Sequence, residues 1–193
     1  LPERVLAGAA RQMLLGLAHL QSHKRVHRDI KPSNVLINSA GQLKLSDFGI
    51  SKELRSSIAV CETFVGTFRY MSPERIEGAP YSYSADVWSF GVLLVECATG
   101  KYPYSDCHTP LEAMEHVLKL DVAAVSRLHL SQACSEFLGK CCCQDPSQRL
   151  PAGTLLGSKW LSAHRVATTE LAVIAVRRWI QSLQPRADGV SPD

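Results

Sequence analysis

Four polar side chains at close spacing give this sequence its chemistry. Asp29, Lys31 and Asn34 lie in the run His27-Arg28-Asp29-Ile30-Lys31-Pro32-Ser33-Asn34. Asp47 follows Asp29 by 18 residues, in Asp47-Phe48-Gly49. Asp29 offers a carboxylate to take a hydroxyl proton, and Lys31 can reach a transferring phosphoryl group as a point charge. The Asn34 amide oxygen and the Asp47 carboxylate are hard oxygen donors of the kind Mg²⁺ prefers, a cation that leaves its other positions to phosphates and water. A lone Asp in a loop ordinarily caps a turn. With these three partners, Asp29 points instead to phosphoryl transfer onto a hydroxyl.

Such groups need elements to aim them. Residues 2–23 carry a helical stripe of Val5, Ala9, Met13 and Leu17, with Leu6, Ala10 and Leu14 beside it. Pro2 suits a first helical position and Glu3 a first turn. Residues 24–34 are polar, basic and broken by Pro32, which predicts a loop. Val35–Asn38, the turn residues Ser39-Ala40-Gly41, and Leu43 alternating with Lys44, Leu45 and Ser46 predict a small hairpin that returns Asp47 to Asp29. Residues 47–72 lack periodicity and are rich in Ser and Thr, which marks a functional or mobile segment. Ser84–Thr99 is apolar on all sides and stops at Gly100, which predicts a central core helix. Further helices are predicted near 109–120, 131–143, 152–161 and 167–183. In the last, Ala172, Val176, Trp179, Ile180 and Leu183 share a face that Arg177, Arg178 and Gln181 leave. Residues 185–193 read as a disordered tail. The predicted fold is mainly helical with one small hairpin.

Composition bounds the rest. The 193 residues are 46% hydrophobic and 20% charged, enough to bury a sizeable core, with a net charge of +3. That mild charge does not suggest nucleic-acid binding, and no run of 18 apolar residues predicts a membrane span. The seven cysteines are odd in number and lack paired C-x-x-C spacing, so reduced and mostly buried cytosolic thiols are expected.

The order of the short motifs carries a resemblance. His27-Arg28-Asp29 with Asn34, then Asp47-Phe48-Gly49, then Ser72-Pro73-Glu74 resembles the protein-kinase set H-R-D-L-x-x-x-N, D-F-G and A-P-E, departing only at Ile30 and Ser72. Phe64-Val65-Gly66-Thr67-Phe68-Arg69-Tyr70-Met71-Ser72-Pro73-Glu74-Arg75 closely resembles the MAP kinase kinases, and the likeness covers about residues 1–161. It implies the C-terminal lobe of a kinase, with a catalytic loop at 27–34 and an activation segment at 47–74. Residues 162–184 would form an appended amphipathic helix. The resemblance further implies ATP and Mg²⁺, with Asp29, Lys31, Asn34 and Thr67 catalytic. Lys31, Asn34, Leu36 and Asp47 would meet the nucleotide, Leu36 flooring the adenine pocket and Asn34 and Asp47 holding the metal. Arg28 would read an activating phosphate, helped by Lys52, Arg55 or Arg69. His27, Phe48, Gly49, Glu74, Asp86 and Arg149 would be structural: Asp86 holding the catalytic-loop backbone, and Glu74 pairing with Arg149.

Ser57 lies six residues before Thr63, a spacing that resembles the activation phosphosites of plant-type members. The family implies dual-specificity transfer to Thr and Tyr of a MAP kinase, an upstream MAP kinase kinase kinase, and a cytoplasmic setting. No G-x-G-x-x-G run appears, nor a V-A-I-K-like strand. The match is therefore to the C-terminal lobe, and residues 1–193 alone are expected to be inactive or nearly so. Two other readings stay open: another Ser/Thr kinase of the same cascade, and a truncated non-catalytic docking module.

Overall fold

A computed structural model describes residues 1–47, 69–103, 109–119 and 130–183. Helix α1 runs Glu3–Ser22. Pro2 sits just before it, its carbonyl accepting the Val5 and Leu6 N–H groups at 2.9 and 3.0 Å, so it caps the helix rather than opening it. The expected stripe is buried throughout, and so is its flank of Leu6, Ala10 and Leu14. This breadth arises because α1 is packed from several sides.

The loop ends in a 3₁₀ turn at Pro32–Asn34 and passes into the hairpin. Strand β1 (Val35–Ile37) pairs antiparallel with β2 (Leu43–Leu45), with Leu36 opposite Lys44. Gly41 makes the turn at φ +81°. A Cβ there would lie 2.5 Å from both the Val173 carbonyl oxygen and the Arg177 nitrogen, so only glycine fits. Buried Gln12 on α1 holds the hairpin from behind. Its amide nitrogen donates to the Gly41 carbonyl at 3.1 Å, and its oxygen accepts the Leu43 N–H at 2.9 Å.

A short helix, α2 (Pro73–Ile76), precedes the central α3 (Tyr83–Thr99). Ser82 caps α3 by accepting the Ser84 N–H, and Gly100 ends it at φ +73°. Every residue from Ala85 to Val95 is buried, including the polar Asp86 and Ser89. Each large apolar side chain sealed there contributes about 1.5–3 kcal/mol. Helix α4 (Pro110–Leu118) starts from a Thr109 cap, and α5 (Gln132–Cys141) from a Ser131 cap. Phe137 of α5 joins α3 to the following helices, with ring centroids 6.3 Å from Phe90 and 4.7 Å from Trp160.

The segment expected as one helix over 152–161 is two, α6 (Ala152–Leu155) and α7 (Lys159–Ala163). Gly157 interrupts the pattern, and the Ser158 hydroxyl restarts it by accepting the Leu161 N–H at 3.4 Å. Helix α8 (Thr169–Leu183) lies along α1. Ala172, Ala175 and Val176 form its buried face, and Trp179 and Ile180 are partly covered. Leu183, expected on that face, is instead 63% exposed, and the covered stretch ends at the partly buried Trp179 and Ile180. Residues 184–193, including the expected tail, lie outside the described residues.

Of the cysteines, Cys134, Cys141 and Cys142 are buried free thiols, and Cys97 and Cys143 are partly exposed. Burial pushes the Cys134 and Cys142 thiols up to about 12, far from the thiolate that would react. Cys61 and Cys107 lie outside the described residues. Among the described residues, no helix is long and apolar enough to cross a membrane.

Candidate active site

The site sits where the loop between α1 and β1 meets the end of β2. The Ser46 N–H donates to the Asn34 carbonyl at 2.9 Å, so the return strand is bonded directly to the loop. Asp47 is the next residue along. It adopts φ +57°, a left-handed conformation that Asp tolerates better than most, and it is exposed. The Ser46 hydroxyl donates to Asp47 Oδ2 at 3.3 Å.

Asp29, Lys31 and Asn34 form one hydrogen-bonded set. Lys31 Nζ lies 2.8 Å from Asp29 Oδ2. Asn34 Nδ2 donates to the same oxygen at 2.9 Å and to the Asp29 carbonyl at 2.8 Å. Both donors therefore occupy Oδ2, and Oδ1 meets no donor among the described residues. The Asn34 amide orientation that gives these bonds also leaves its Oδ1 without a donor among the described residues. Asn34 is buried, whereas Asp29 and Lys31 keep 37% and 27% of their side chains exposed. The Asp29 carboxylate is thus held in place by two donors and still meets solvent.

The backbone beneath this set is fixed from the core. The Asp86 carboxylate accepts the His27 N–H at 2.7 Å and the Arg28 N–H at 2.9 Å. Burial pushes the Asp86 carboxyl above the usual carboxylate value, and these two donors only partly offset it. His27 is fully buried, and its Nδ1 lies 3.4 Å from the Asp29 N–H. Arg28 adopts φ +72°, a strained region costing on the order of 1–3 kcal/mol that persists only where neighbours enforce it.

A second, buried ion pair lies away from this loop. Arg149 meets Glu74 in a two-pronged arrangement at 2.7 and 2.8 Å. The same guanidinium donates to the Cys143, Ser84 and Gln144 carbonyls and lies 5.0 Å over the Trp88 ring. Burial pushes the Glu74 carboxyl up, but the Arg149 bonds and charge outweigh it and leave it below the ordinary value.

The residues singled out in the sequence thus fall into three groups. Asp29, Lys31 and Asn34 are brought together, with Asp47 beside them through Ser46. His27, Arg28 and Asp86 form the support beneath, and Glu74 pairs with Arg149. Leu36 stands on β1 with 57% of its surface exposed, available as a platform rather than part of the core. Phe48, Gly49, Ser57, Thr63 and Thr67 lie outside the described residues, as do Lys52 and Arg55. Arg69 lies 5.0 Å over the Tyr102 ring, and its carbonyl accepts the Tyr102 hydroxyl. Two residues missed in the sequence emerge. Gln12 is a polar side chain on an otherwise apolar stripe, a readable signal; Arg75, whose Nη1 donates to the Arg28 carbonyl at 2.8 Å, gave none.

The donor chemistry can be tested against Mg²⁺. Among the described residues, no three His, Cys, Asp or Glu side chains cluster to cage a metal by themselves. Asn34 and Asp47 instead offer two oxygen donors on hydrogen-bonded neighbouring segments. This fits a cation that takes one or two protein ligands and completes its shell with phosphates and water.

Comparison with known proteins agrees with this geometry. Residues 1–161 match the protein kinase domain family. The chain is 42% identical over 173 residues to mitogen-activated protein kinase kinase 3 of Arabidopsis thaliana, covering 89% of this chain and 33% of that protein. It is 40% identical over 171 residues to mitogen-activated protein kinase kinase SIPKK of Nicotiana tabacum, covering 85% and 48%. It is 36% identical over 186 residues to MAP kinase kinase MKK1/SSP32 of Saccharomyces cerevisiae, covering 92% and 36%. The chain spans a third to about half the length of these relatives. Motif order, loop geometry and family match agree: this chain belongs to the protein kinase family, and its relatives here are MAP kinase kinases.

Proposed function

We propose that the protein containing this chain is a dual-specificity MAP kinase kinase, moving the γ-phosphoryl group of ATP to Thr and Tyr hydroxyls in the activation segment of a MAP kinase. The observation that carries this reading is the Asp29, Lys31 and Asn34 set, in which two donors share one carboxylate oxygen and leave the other for a proton. Asp29 accepts the substrate hydroxyl proton as that oxygen bonds to the γ-phosphorus and ADP departs. Lys31 lends positive charge to the transferring group. Asn34 and Asp47 hold Mg²⁺, which when bound neutralises phosphate charge. Leu36 floors the adenine pocket, and the kinase resemblance gives Thr67 a catalytic part.

Phosphorylation at Ser57 and Thr63 by an upstream MAP kinase kinase kinase switches the protein on, each phosphate adding about −1.5 to −2 charge for Arg28 to read. Residues 1–161 act as the catalytic lobe and α8 as its appended helix. Residues 1–193 alone hold no glycine-rich phosphate cradle, so turnover needs one supplied by the rest of the protein. The cascade setting implies a cytoplasmic location.

The test uses the full-length protein, activated by an upstream kinase and incubated with Mg-ATP and a catalytically dead MAP kinase. Mass spectrometry then maps the phosphates. Phosphate on both Thr and Tyr of the target's activation segment is the expected result. Phosphate on Ser or Thr alone would make it another kinase of the cascade, and none would return the docking-module reading.

A further inference from the structure

Arg75 follows Glu74 on α2, and the two side chains are engaged by different parts of the molecule. Glu74 is locked to Arg149. Arg75 Nη1 donates to the carbonyl oxygen of Arg28 at 2.8 Å. That oxygen belongs to the Arg28–Asp29 peptide, the plane from which Asp29 projects. On the other side of Arg28, its N–H is held by Asp86 Oδ1 at 2.9 Å. One residue is thus gripped at both backbone polar groups, from α3 and from α2, and between the grips it holds φ +72°. A non-glycine residue enters that region only where its surroundings leave no alternative. The Asp29 N–H has a longer 3.4 Å contact to His27 Nδ1, so the Arg28 carbonyl is the better-anchored end of this peptide.

The Arg75 guanidinium is itself constrained. It lies 5.2 Å over the Tyr81 ring, and the Arg28 guanidinium lies 5.8 Å over the same ring. The stacked ring limits the rotamers that Arg75 can adopt. The buried Glu74–Arg149 pair fixes the backbone from which Arg75 projects.

We propose that Arg75 is a positioning residue for phosphoryl transfer: by holding the Arg28 carbonyl it fixes the Arg28–Asp29 peptide plane and so aims the Asp29 carboxylate. This rests on the reading of Asp29 as the proton acceptor. Without Arg75, that peptide plane keeps only the longer His27 contact, and the carboxylate shifts from the path of the incoming hydroxyl. Small displacements of a reacting group cost rate steeply, about 100-fold for 1 Å. Nucleotide and protein-substrate binding do not depend on that plane and stay as they were.

The experiment compares full-length wild type with Arg75→Ala, Arg75→Gln and Arg75→Lys in steady-state and single-turnover transfer, alongside thermal melting. Arg75→Ala is expected to lower kcat about 10- to 100-fold with both KM values within about twofold. The Gln and Lys variants each keep an N–H donor and are expected to recover part of the loss. In an Asp29→Asn background, Arg75→Ala should cause no further loss, because a residue acting through Asp29 has nothing left to aim.

A raised protein-substrate KM with unchanged kcat would overturn the proposal, as would equal proportional losses in both backgrounds. A loss that follows the melting temperature, without recovery in Gln or Lys, would overturn it too. Asp29→Asn separates this inference from the reading beneath it. If Asp29→Asn retains full turnover, the phosphotransfer assignment itself fails. If Asp29→Asn is inactive and Arg75→Ala is unimpaired, the positioning role alone fails.

Discussion

Two ion pairs in this molecule use the same charges in opposite surroundings. Glu74 and Arg149 are sealed, with 7% and 0% of their side chains exposed, and every prong of the guanidinium is satisfied. Asp29 and Lys31 are open, at 37% and 27%, and one Asp29 carboxylate oxygen meets no donor among the described residues. The sealed pair has one arrangement and serves as a rivet between α2 and the segment before α6. The open pair can exchange its partners and is suited to chemistry. Burial and the number of satisfied donors, rather than residue type, separate the two roles.

Breaking the rivet has the largest expected effect on folding. Arg149→Ala leaves Glu74 buried and uncompensated, and should destabilise the full-length protein by about 3–5 kcal/mol in denaturant unfolding. Acid sharpens the same point. The folded Glu74 carboxyl lies below its ordinary 4.5, so its stabilisation is complete above about pH 4.5 and fades as pH falls through the lower folded value. Asp86, held above its ordinary value, acts in the opposite sense, its cost fading on acidification. Comparing wild type with Glu74→Gln isolates the rivet: wild type should lose more stability between about pH 5 and pH 3 than the variant does.

A smaller effect is expected at the hairpin. Gly41→Ala combines a positive φ with a Cβ 2.5 Å from the α8 backbone, and should cost about 1–3 kcal/mol. Hydrogen exchange should show the loss concentrated in α8 and the 35–45 hairpin. The open pair should matter least to stability. Lys31→Ala should shift unfolding by less than about 1 kcal/mol, as exposed pairs do, while lowering transfer. A large stability loss there would erase the contrast between the two pairs.

Much of this was legible in the sequence because local rules decided it. The apolar stripe of α1, the all-round apolar α3 with its Gly100 stop, and the hairpin between them follow from periodicity and turn residues. The spacing of Asp29, Lys31 and Asn34 anticipated their convergence, since a 3₁₀ turn folds all three into one bonded loop. The misses are tertiary. Periodicity over 152–161 could not weigh the Ser158 cap against a continuous helix. The apolar position of Leu183 could not reveal that its side chain stays 63% exposed at the end of α8. Arg75 looks like any surface arginine until α2 is docked by Glu74. Gly41 reads as an ordinary turn glycine until the α8 backbone arrives against it.

The most direct test of the account is transfer by the full-length, upstream-activated protein with and without the Asp29 carboxylate. Asp29→Asn keeps the shape and removes the base. Transfer to the protein substrate should fall about 100- to 10,000-fold while Mg-ATP affinity, measured by calorimetry, stays within about twofold. Near-normal transfer by Asp29→Asn would contradict the assignment of this loop as the phosphotransfer site.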